Sequence, residues 1–316
     1  MGMRKLFLIA ILFSCVGTSA QSPMYRLIRK SPSVVPLLDT YTGAEAAYSL
    51  KKVRTAYSGY AVRVRRSSDD AEQDIGFLSS GEFDTTSLKT FVGANNGFVT
   101  TWYDQSGNTR DITQATSGNQ PKVVTSGVVE RAGTKPTVLF TAASSNYLTG
   151  GDILDFIGLN MNVFTVAKLG SAASGSLYAK SLAGTAANRY YLAKDGGNLD
   201  SRIQDNTGNI ISAAVSYSNT DLSLFETYIN KSTDSTQLKK NNAQLAVVTS
   251  SISDNDMNST YTFIVGGYNS AAGGLPPTAG LYLDGRISSI VFYLKSWNST
   301  ERTAIATEIN SYYSIY

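Results

Sequence analysis

The chain of 316 residues contains no histidine and only one cysteine, Cys15. Without imidazole, the chain cannot perform Ser-His-Asp or Cys-His nucleophilic catalysis. A single thiol also excludes an internal disulfide and the usual His- or Cys-ligated zinc, haem and iron–sulfur sites. Any catalysis must therefore use carboxylates, lysines, tyrosines or hydroxyls, and any bound metal must be a hard cation held by oxygen.

The first twenty residues have the pattern of a secretory signal peptide. Arg4 and Lys5 precede an apolar run over residues 6–13, and small residues lead to Ala20, after which we expect cleavage. A lipoprotein in which Cys15 is acylated is the alternative. The apolar run is too short to cross a bilayer, and no later segment has the required length. Both interpretations predict a protein outside the cytoplasm, either secreted to the exterior or periplasmic.

The charge balance of the remaining chain is close to neutral. Loss of Arg4 and Lys5 with the signal peptide reduces the 27 basic residues to 25, against 24 acidic residues. Phosphate-directed binding needs a stripe of uncompensated positive charge. We therefore predict no nucleic-acid partner.

Short segments of alternating polarity occur along most of the chain. Tyr60, Val62 and Val64 alternate with polar or small residues, as in a strand with one buried face. Similar runs occupy residues 98–103, 137–140, 163–167, 189–193, 224–229, 262–265 and 286–294. Glycine- and asparagine-rich turns separate them. This pattern predicts an all-β sandwich, and without a visible linker we expect one domain over residues 36–316 after a short leader at 21–35.

Two segments are predicted to be helical. Near the C-terminus, Asn298 and Glu301 have the spacing of a capping box, and Ile305, Ile309 and Tyr312 then form one apolar stripe. A second short helix is predicted over residues 44–53.

Three segments carry a resemblance to a known family: residues 46–60, an Arg-Arg-Ser-Ser-Asp-Asp run at 65–70, and Trp-Tyr-Asp-Gln-Ser-Gly-Asn at 102–108. Thr113 and Gln114 follow shortly after. The order and spacing of these pieces resemble the catalytic domain of α-L-arabinofuranosidase B, glycoside hydrolase family 54. The resemblance implies a concanavalin A-like two-sheet jelly roll, and residues 133–148 and 283–293 are similar to laminin-G-like jelly rolls more broadly.

The resemblance also implies where catalytic groups should lie. The family's nucleophile is a glutamate in a strand motif that falls near residues 189–193, where this chain has no carboxylate. The family's acid/base is an aspartate in a Gly-Gly-Asp-Asn motif, which matches residues 266–269 and puts Tyr268 at the aspartate position. The family's adjacent cysteine pair is absent as well. Retaining hydrolysis requires two carboxyl groups about 5 Å apart.

Candidate ligand-binding residues follow from these motifs and from the use of aromatic faces in carbohydrate sites. They are Trp102, Tyr103, Asp104, Gln105, Asn108, Tyr268 and Asn269. For Asp104, Gln105 and Asn108 the alternative is a turn that pins the edge of the sandwich. No catalytic residue and no metal ligand is assigned.

Acidic residues cluster at several places in the sequence, where they could bind a metal ion or take part in catalysis. Asp69, Asp70, Glu72 and Asp74 form either a solvated loop, a calcium site or a sugar-contacting pair, and calcium is the one cofactor that the sequence leaves open. The run from Asp254 to Asn258 lacks the glycine and the glutamate of an EF-hand, which excludes that motif. Asp195, Asp200, Glu226 and Asp284 are further carboxylates that an enzyme could use, but their spacing pairs no two of them.

The sequence thus predicts a secreted jelly-roll protein directed at carbohydrate, and the resemblance implies arabinose-containing polysaccharide as its partner. Three hypotheses remain open. The chain binds the glycan without cleaving it, or hydrolyses it with carboxylates placed elsewhere, or serves as a laminin-G-like adhesive surface protein.

Overall fold

The computed structural model describes residues 35–155, 160–172, 174–181, 189–205, 207–251, 258–269 and 275–316. The predicted signal peptide and nearly all of the predicted leader lie outside these ranges. From Val35 to Tyr316 the chain forms one compact unit. None of the helices in the described part of the chain has the length and apolar character needed to cross a lipid bilayer.

Strands make up most of the regular structure. In the first half of the chain they are β1 (Ala44–Ser49), β2 (Val62–Arg66), β3 (Glu72–Ile75), β4 (Gly97–Trp102), β5 (Ile112–Thr113), β6 (Lys122–Thr125), β7 (Val128–Val129), β8 (Arg131–Ala132), β9 (Lys135–Pro136), β10 (Val138–Phe140) and β11 (Leu148–Gly151). In the second half they are β12 (Met161–Leu169), β13 (Gly175–Lys180), β14 (Arg189–Asp195), β15 (Asn198–Gln204), β16 (Ile210–Ser216), β17 (Leu222–Asn230), β18 (Ser235–Lys240), β19 (Ala243–Thr249), β20 (Phe263–Val265) and β21 (Gly285–Tyr293). The helices are α1 (Leu37–Thr40), α2 (Thr85–Val92) and α3 (Ser299–Tyr313), and 3₁₀ turns cover Ser117–Asn119 and Ala142–Ser144.

Nineteen of the strands form one antiparallel hydrogen-bonded network that folds into two layers. In the first layer, β21 is central. It pairs with β1 and β10 on one side and with β12 on the other, and β17, β18 and β19 follow β12. The second layer runs from β3 and β2 through β4, β5, β11, β20, β13, β14 and β15 to β16. Strand β6 joins the layers by pairing with both β10 and β4. This is the predicted all-β, concanavalin A-like jelly roll.

The core lies between the two layers and is built by strand alternation. On β21, Ile290 and Phe292 face this core, whereas Val291 and Tyr293 belong to a separate apolar cluster beneath α3. Both faces of the second half of β21 are therefore buried, in agreement with its apolar run at residues 290–293. The outer surface of the first layer is thus covered by α3, whereas Tyr282 covers Ile264 on the outer surface of the second layer.

The predicted C-terminal helix is confirmed, including its capping box. The Asn298 side chain accepts a hydrogen bond from the Glu301 backbone amide at 2.9 Å, and the Glu301 carboxylate accepts one from the Asn298 amide at 2.8 Å. Ile305 and Ile309 are buried against the first layer, and Tyr312 packs at the edge of the same cluster.

The predicted helix over residues 44–53 is wrong, because residues 44–49 form strand β1. Ala46 and Tyr48 face the main core and Ala47 faces the cluster beneath α3, so the segment is buried on both faces beside β21. Tertiary pairing outweighs the helical preference of its alanines. The sequence analysis also missed α2, whose signal was Asp84 as the N-cap residue and Gly93 after the last turn.

Candidate functional site

The outer face of the second layer carries the candidate site, and strand alternation decides which side chains it exposes. On β14, Tyr190 and Leu192 face the core, whereas Tyr191 and Ala193 pack outside with Tyr268. On the neighbouring β15, Leu199 and Ile203 likewise face the core. The alternate residues, Asp200 and Arg202, therefore share the outer face with Tyr191.

Two tyrosines and two arginines form the centre of this face. The rings of Tyr191 and Tyr268 meet edge to face, with their centroids 5.2 Å apart. Arg189 donates from Nη1 to the Tyr268 hydroxyl at 3.2 Å, and the Arg202 guanidinium lies 5.3 Å from the centroid of the Tyr191 ring. The structure thus brings together the two segments, 189–193 and 266–269, to which the resemblance assigned the catalytic motifs.

Asp200 is the buried carboxylate beside this cluster. Its side chain is 2% exposed in the folded chain. It accepts hydrogen bonds from Ser212 at 2.6 Å and from the Tyr191 hydroxyl at 3.3 Å, and it forms an ion pair with Arg202 at 2.8 Å. Burial, and then the nearby Asp200 charge, raise the pKa of Tyr191 far above its usual value. Tyr191 is therefore a protonated hydrogen-bond donor at neutral pH.

A cavity of about 230 Å³ opens at this cluster. Its wall includes Ser176, Arg189, Tyr191, Lys194, Asp195, Arg202 and Tyr268. Sites for drug-sized ligands occupy about 300–1,000 Å³. This cavity is smaller than such sites and has room for one ring-sized group.

Asn269, the residue after Tyr268, is 1% exposed. Neither its side-chain nitrogen nor its side-chain oxygen has a hydrogen-bond partner among the described residues. An unsatisfied buried carboxamide costs about 1–3 kcal/mol, so a bound water or ligand group would be stabilising there.

The predicted residues Trp102 and Tyr103 lie elsewhere, at the end of β4. Trp102 is fully buried in the main core and packs against Tyr48, with ring centroids 6.3 Å apart. The Tyr103 hydroxyl donates to Asp74 at 2.7 Å. These contacts connect the end of β4 to β1 and β3. A role of Trp102 or Tyr103 in glycan contact remains a prediction.

Asp104, Gln105 and Asn108 attach the turn after β4 to β1 and the segment that follows it. Asp104 accepts hydrogen bonds from the backbone amides of Ala47, Ser106 and Arg110 and from the Ser106 hydroxyl. Gln105 bonds to the backbone of Ser49, Lys51 and Val53. Asn108 donates to the carbonyls of Ala44 and Glu45. The geometry supports the turn interpretation of the motif, and its contact with a ligand stays untested.

The acidic cluster at residues 69–74 is paired with arginines on the β2–β3 hairpin. Asp74 bonds to Arg63, Asp70 to Arg65 and Asp69 to Arg66. The Arg66 hydrogen bond lowers the pKa of Asp69 to about 2. Throughout the described ranges, no three histidine, cysteine or acidic side chains come together in a way that could hold a metal ion. The segment with Asp254 and Asp256 lies outside these ranges.

Of the other carboxylates considered, Asp195 lines the cavity, whereas Glu226 is on the first layer beneath α3. Asp284 directly precedes β21. Arg202 was not among the predicted site residues. The available signal was the alternation of β15, in which Leu199, Ser201 and Ile203 face inward and leave Arg202 on the other face.

A model of the family described as "Alpha-L-arabinofuranosidase B, catalytic" matches residues 39–228 of the chain. The chain belongs to this family. The match includes β14 and β15, and it ends before the segment that holds Tyr268. No curated protein matches the sequence.

Solved structures of arabinofuranosidases share the fold. A mutant GH54 α-L-arabinofuranosidase soaked with 4-nitrophenyl α-L-arabinofuranoside superposes with a TM-score of 0.58 at 15% identity. An arabinofuranosidase complexed with arabinofuranosyl-α-1,2-xylobiose gives a TM-score of 0.57, also at 15% identity. Each alignment covers 86% of this chain and 64% of the solved one, so the chain spans slightly less than two thirds of these relatives' length.

Proposed function

We propose that the chain binds an arabinose-containing glycan in the cavity on β14 and β15 and does not cleave it. The observation that carries the proposal is the composition of this cavity. Tyr268 stands where the resemblance implies the acid/base, and the strand motif beside it contributes Tyr191 rather than a carboxylate.

The electrostatics of the site argue against hydrolysis. Glycoside hydrolysis passes through an oxocarbenium-like transition state, which nearby carboxylates stabilise. Here Arg189 and Lys194 line the cavity, and the ion pair with Arg202 already compensates the negative charge of Asp200. Positive groups at this position oppose the developing positive charge. Tyr191, with its raised pKa, is a poor proton donor to a leaving group at neutral pH.

The same composition suits the binding of a sugar. Tyrosine rings pack against the apolar face of a sugar, and their hydroxyls fix its hydroxyl groups. Family membership points to arabinofuranose as the sugar unit, and a solved relative is complexed with an arabinofuranosyl-xylobiose. We propose that binding occurs outside the cytoplasm, on the evidence of the signal-peptide pattern over residues 1–20.

Calorimetric titration with arabinofuranosyl-xylobiose, run beside a turnover assay on 4-nitrophenyl α-L-arabinofuranoside, tests the proposal. We expect binding without release of nitrophenol. Tyr268→Ala removes one wall of the cavity and should raise the Kd about tenfold or more. Tyr316→Ala, at a half-exposed tyrosine after α3, is the matched control and should leave the Kd unchanged.

Hydrolysis is the second candidate, because Asp195 lines the cavity and Asp200 hydrogen-bonds to its Tyr191 wall. Nitrophenol release that Asp200→Asn or Asp195→Asn abolishes would establish hydrolysis and refute binding without cleavage. Absence of both turnover and glycan binding would refute the carbohydrate proposal and leave the adhesive hypothesis.

A further inference from the structure

The cavity wall carries more positive than negative side chains. Arg189, Lys194 and Arg202 all line it, against one acidic residue in the wall, Asp195. Asp200 adds a second negative charge behind Tyr191, but Ser212, Tyr191 and Arg202 already use its oxygens. Asp195 is exposed, so solvent screens its charge more than it screens the charges of the buried side chains in the wall.

The charge and hydrogen-bond donors of two of these cations are only partly compensated by the described residues. Lys194 is 7% exposed, and its ammonium donates to the Gly170 carbonyl at 3.3 Å, while the described residues supply no acidic partner within ion-pair distance. Arg202 uses Nη2 for Asp200, and its Nε atom is buried without a hydrogen-bond partner among the described residues. Burying charged donors without full compensation is costly. An anionic ligand group would supply that compensation.

The Tyr268 hydroxyl favours the same kind of ligand. The Tyr268 oxygen accepts a hydrogen bond from Arg189, so its own proton is directed to another acceptor. A carboxylate accepts only, and it matches the planar fork of a guanidinium group. A neutral sugar hydroxyl satisfies such donors less completely, because charge-assisted hydrogen bonds are about twice as strong.

We propose that the cavity selects an arabinose-containing glycan that also carries a carboxylate, that is, a uronic acid unit beside the arabinose. The inference rests on the proposed function and narrows its ligand class. The carboxylate lies against Lys194 and Arg202, and the sugar ring lies against Tyr268.

The test compares one acidic arabinoxylan oligosaccharide bearing glucuronic acid with the same oligosaccharide after reduction of its carboxyl group to the alcohol. Calorimetric titration should give a Kd about tenfold lower for the acidic form at low salt. Raising NaCl from about 0.05 M to about 0.5 M should remove most of this preference, because salt screens the electrostatic attraction between the carboxylate and the cationic side chains. The salt series uses the unmodified protein and does not depend on whether a variant folds.

Variants test which residues cause the preference for the acidic oligosaccharide. Lys194→Met and Arg202→Gln should each reduce the ratio of the two Kd values severalfold, whatever the change in the affinity for the reduced form. Lys194→Arg should retain the preference. Lys89→Met, at an exposed lysine on α2, is the control and should have no effect.

The outcomes separate the two proposals. Equal binding of both oligosaccharides, with Tyr268→Ala weakening both, would overturn the carboxylate inference and leave glycan binding intact. Absence of binding by both would overturn both proposals. A preference for the acidic form that persists in Lys194→Met and Arg202→Gln would also overturn the inference, because another site would then be responsible.

Discussion

Asp104 shows how one buried carboxylate can organise a turn. It is 3% exposed and accepts four hydrogen bonds, two from the following Ser106 and one each from Ala47 and Arg110. Hydrogen bonds to a charged group contribute about 1.5–3 kcal/mol each, but deletions within one network are not additive.

We expect Asp104→Ala to lower the free energy of unfolding by about 3 kcal/mol, because three backbone amides lose their acceptor. Urea unfolding followed by tryptophan fluorescence measures the change. Asp221→Ala, at an exposed aspartate, should change stability by less than about 0.5 kcal/mol. Unchanged stability together with weaker glycan binding would instead favour the predicted ligand-contact role of Asp104.

Helix α3 is attached to the first layer by a buried ionic cluster as well as by apolar packing. Arg302 donates to Glu226 at 2.7 Å and to Gln237 at 3.1 Å, and Lys239 lies 3.6 Å from the second Glu226 oxygen. Removing one member of a buried ion pair costs about 3–5 kcal/mol, because the remaining charge is left uncompensated.

Arg302→Met should therefore lower the free energy of unfolding by about 3 kcal/mol. In the Arg302→Met/Glu226→Met double variant, we expect part of this loss to be recovered, since the most buried ion pair is gone and only Lys239 loses its partner. Thermal unfolding of Arg302→Met, Glu226→Met and the double variant gives the coupling energy between the two side chains. Thr303→Ala, on the exposed side of α3, is the control. Purely additive losses would show that the pair contributes nothing beyond packing.

The success of the sequence analysis differed between elements for physical reasons. Strands with clear alternation, such as β2, and the capped helix α3 could be predicted because their signals are local. Strand β1 could not, since its neighbour β21 follows more than two hundred residues later. The candidate site depends on register as well. Tyr191 lies opposite Arg202 through the hairpin of β14 and β15, whose Gly196-Gly197 turn is a local signal, but the contact of Tyr268 with Tyr191 joins segments more than sixty residues apart and has no such signal.

Across the whole molecule, acidic groups control how stability depends on pH. Hydrogen bonds from Arg66 lower the pKa of Asp69 to about 2, and those from Arg63 lower the pKa of Asp74. For such groups the stabilising contribution is complete above the unfolded pKa of about 4 and is lost as pH falls through the folded value. Glu308, whose pKa is raised by burial, acts in the opposite direction.

We expect the unfolding temperature to be nearly constant between about pH 6 and 8, because the chain has no histidine to titrate there. It should then fall between about pH 4 and 2 as the arginine-paired carboxylates take up protons. Calorimetric scans across this range measure the profile. Asp74→Asn should make the acid decline shallower, whereas Asp221→Asn should not. A marked loss of stability between pH 6 and 8 would contradict this explanation.

The central position of β21 has a consequence for the order of assembly. Strands β1, β10 and β12 all hydrogen-bond to β21, which leaves the ribosome after every one of them. During synthesis the edges of these three strands that face β21 therefore stay unpaired until residues 285–293 emerge from the ribosome. The first layer is therefore completed late, because its last-made strand joins β1 and β10 to the sheet of β12, β17, β18 and β19. The hairpin of β14 and β15 pairs only with nearby chain and can form earlier, whereas Tyr268, on the opposite wall of the cavity, can join it only after residue 268 has been made.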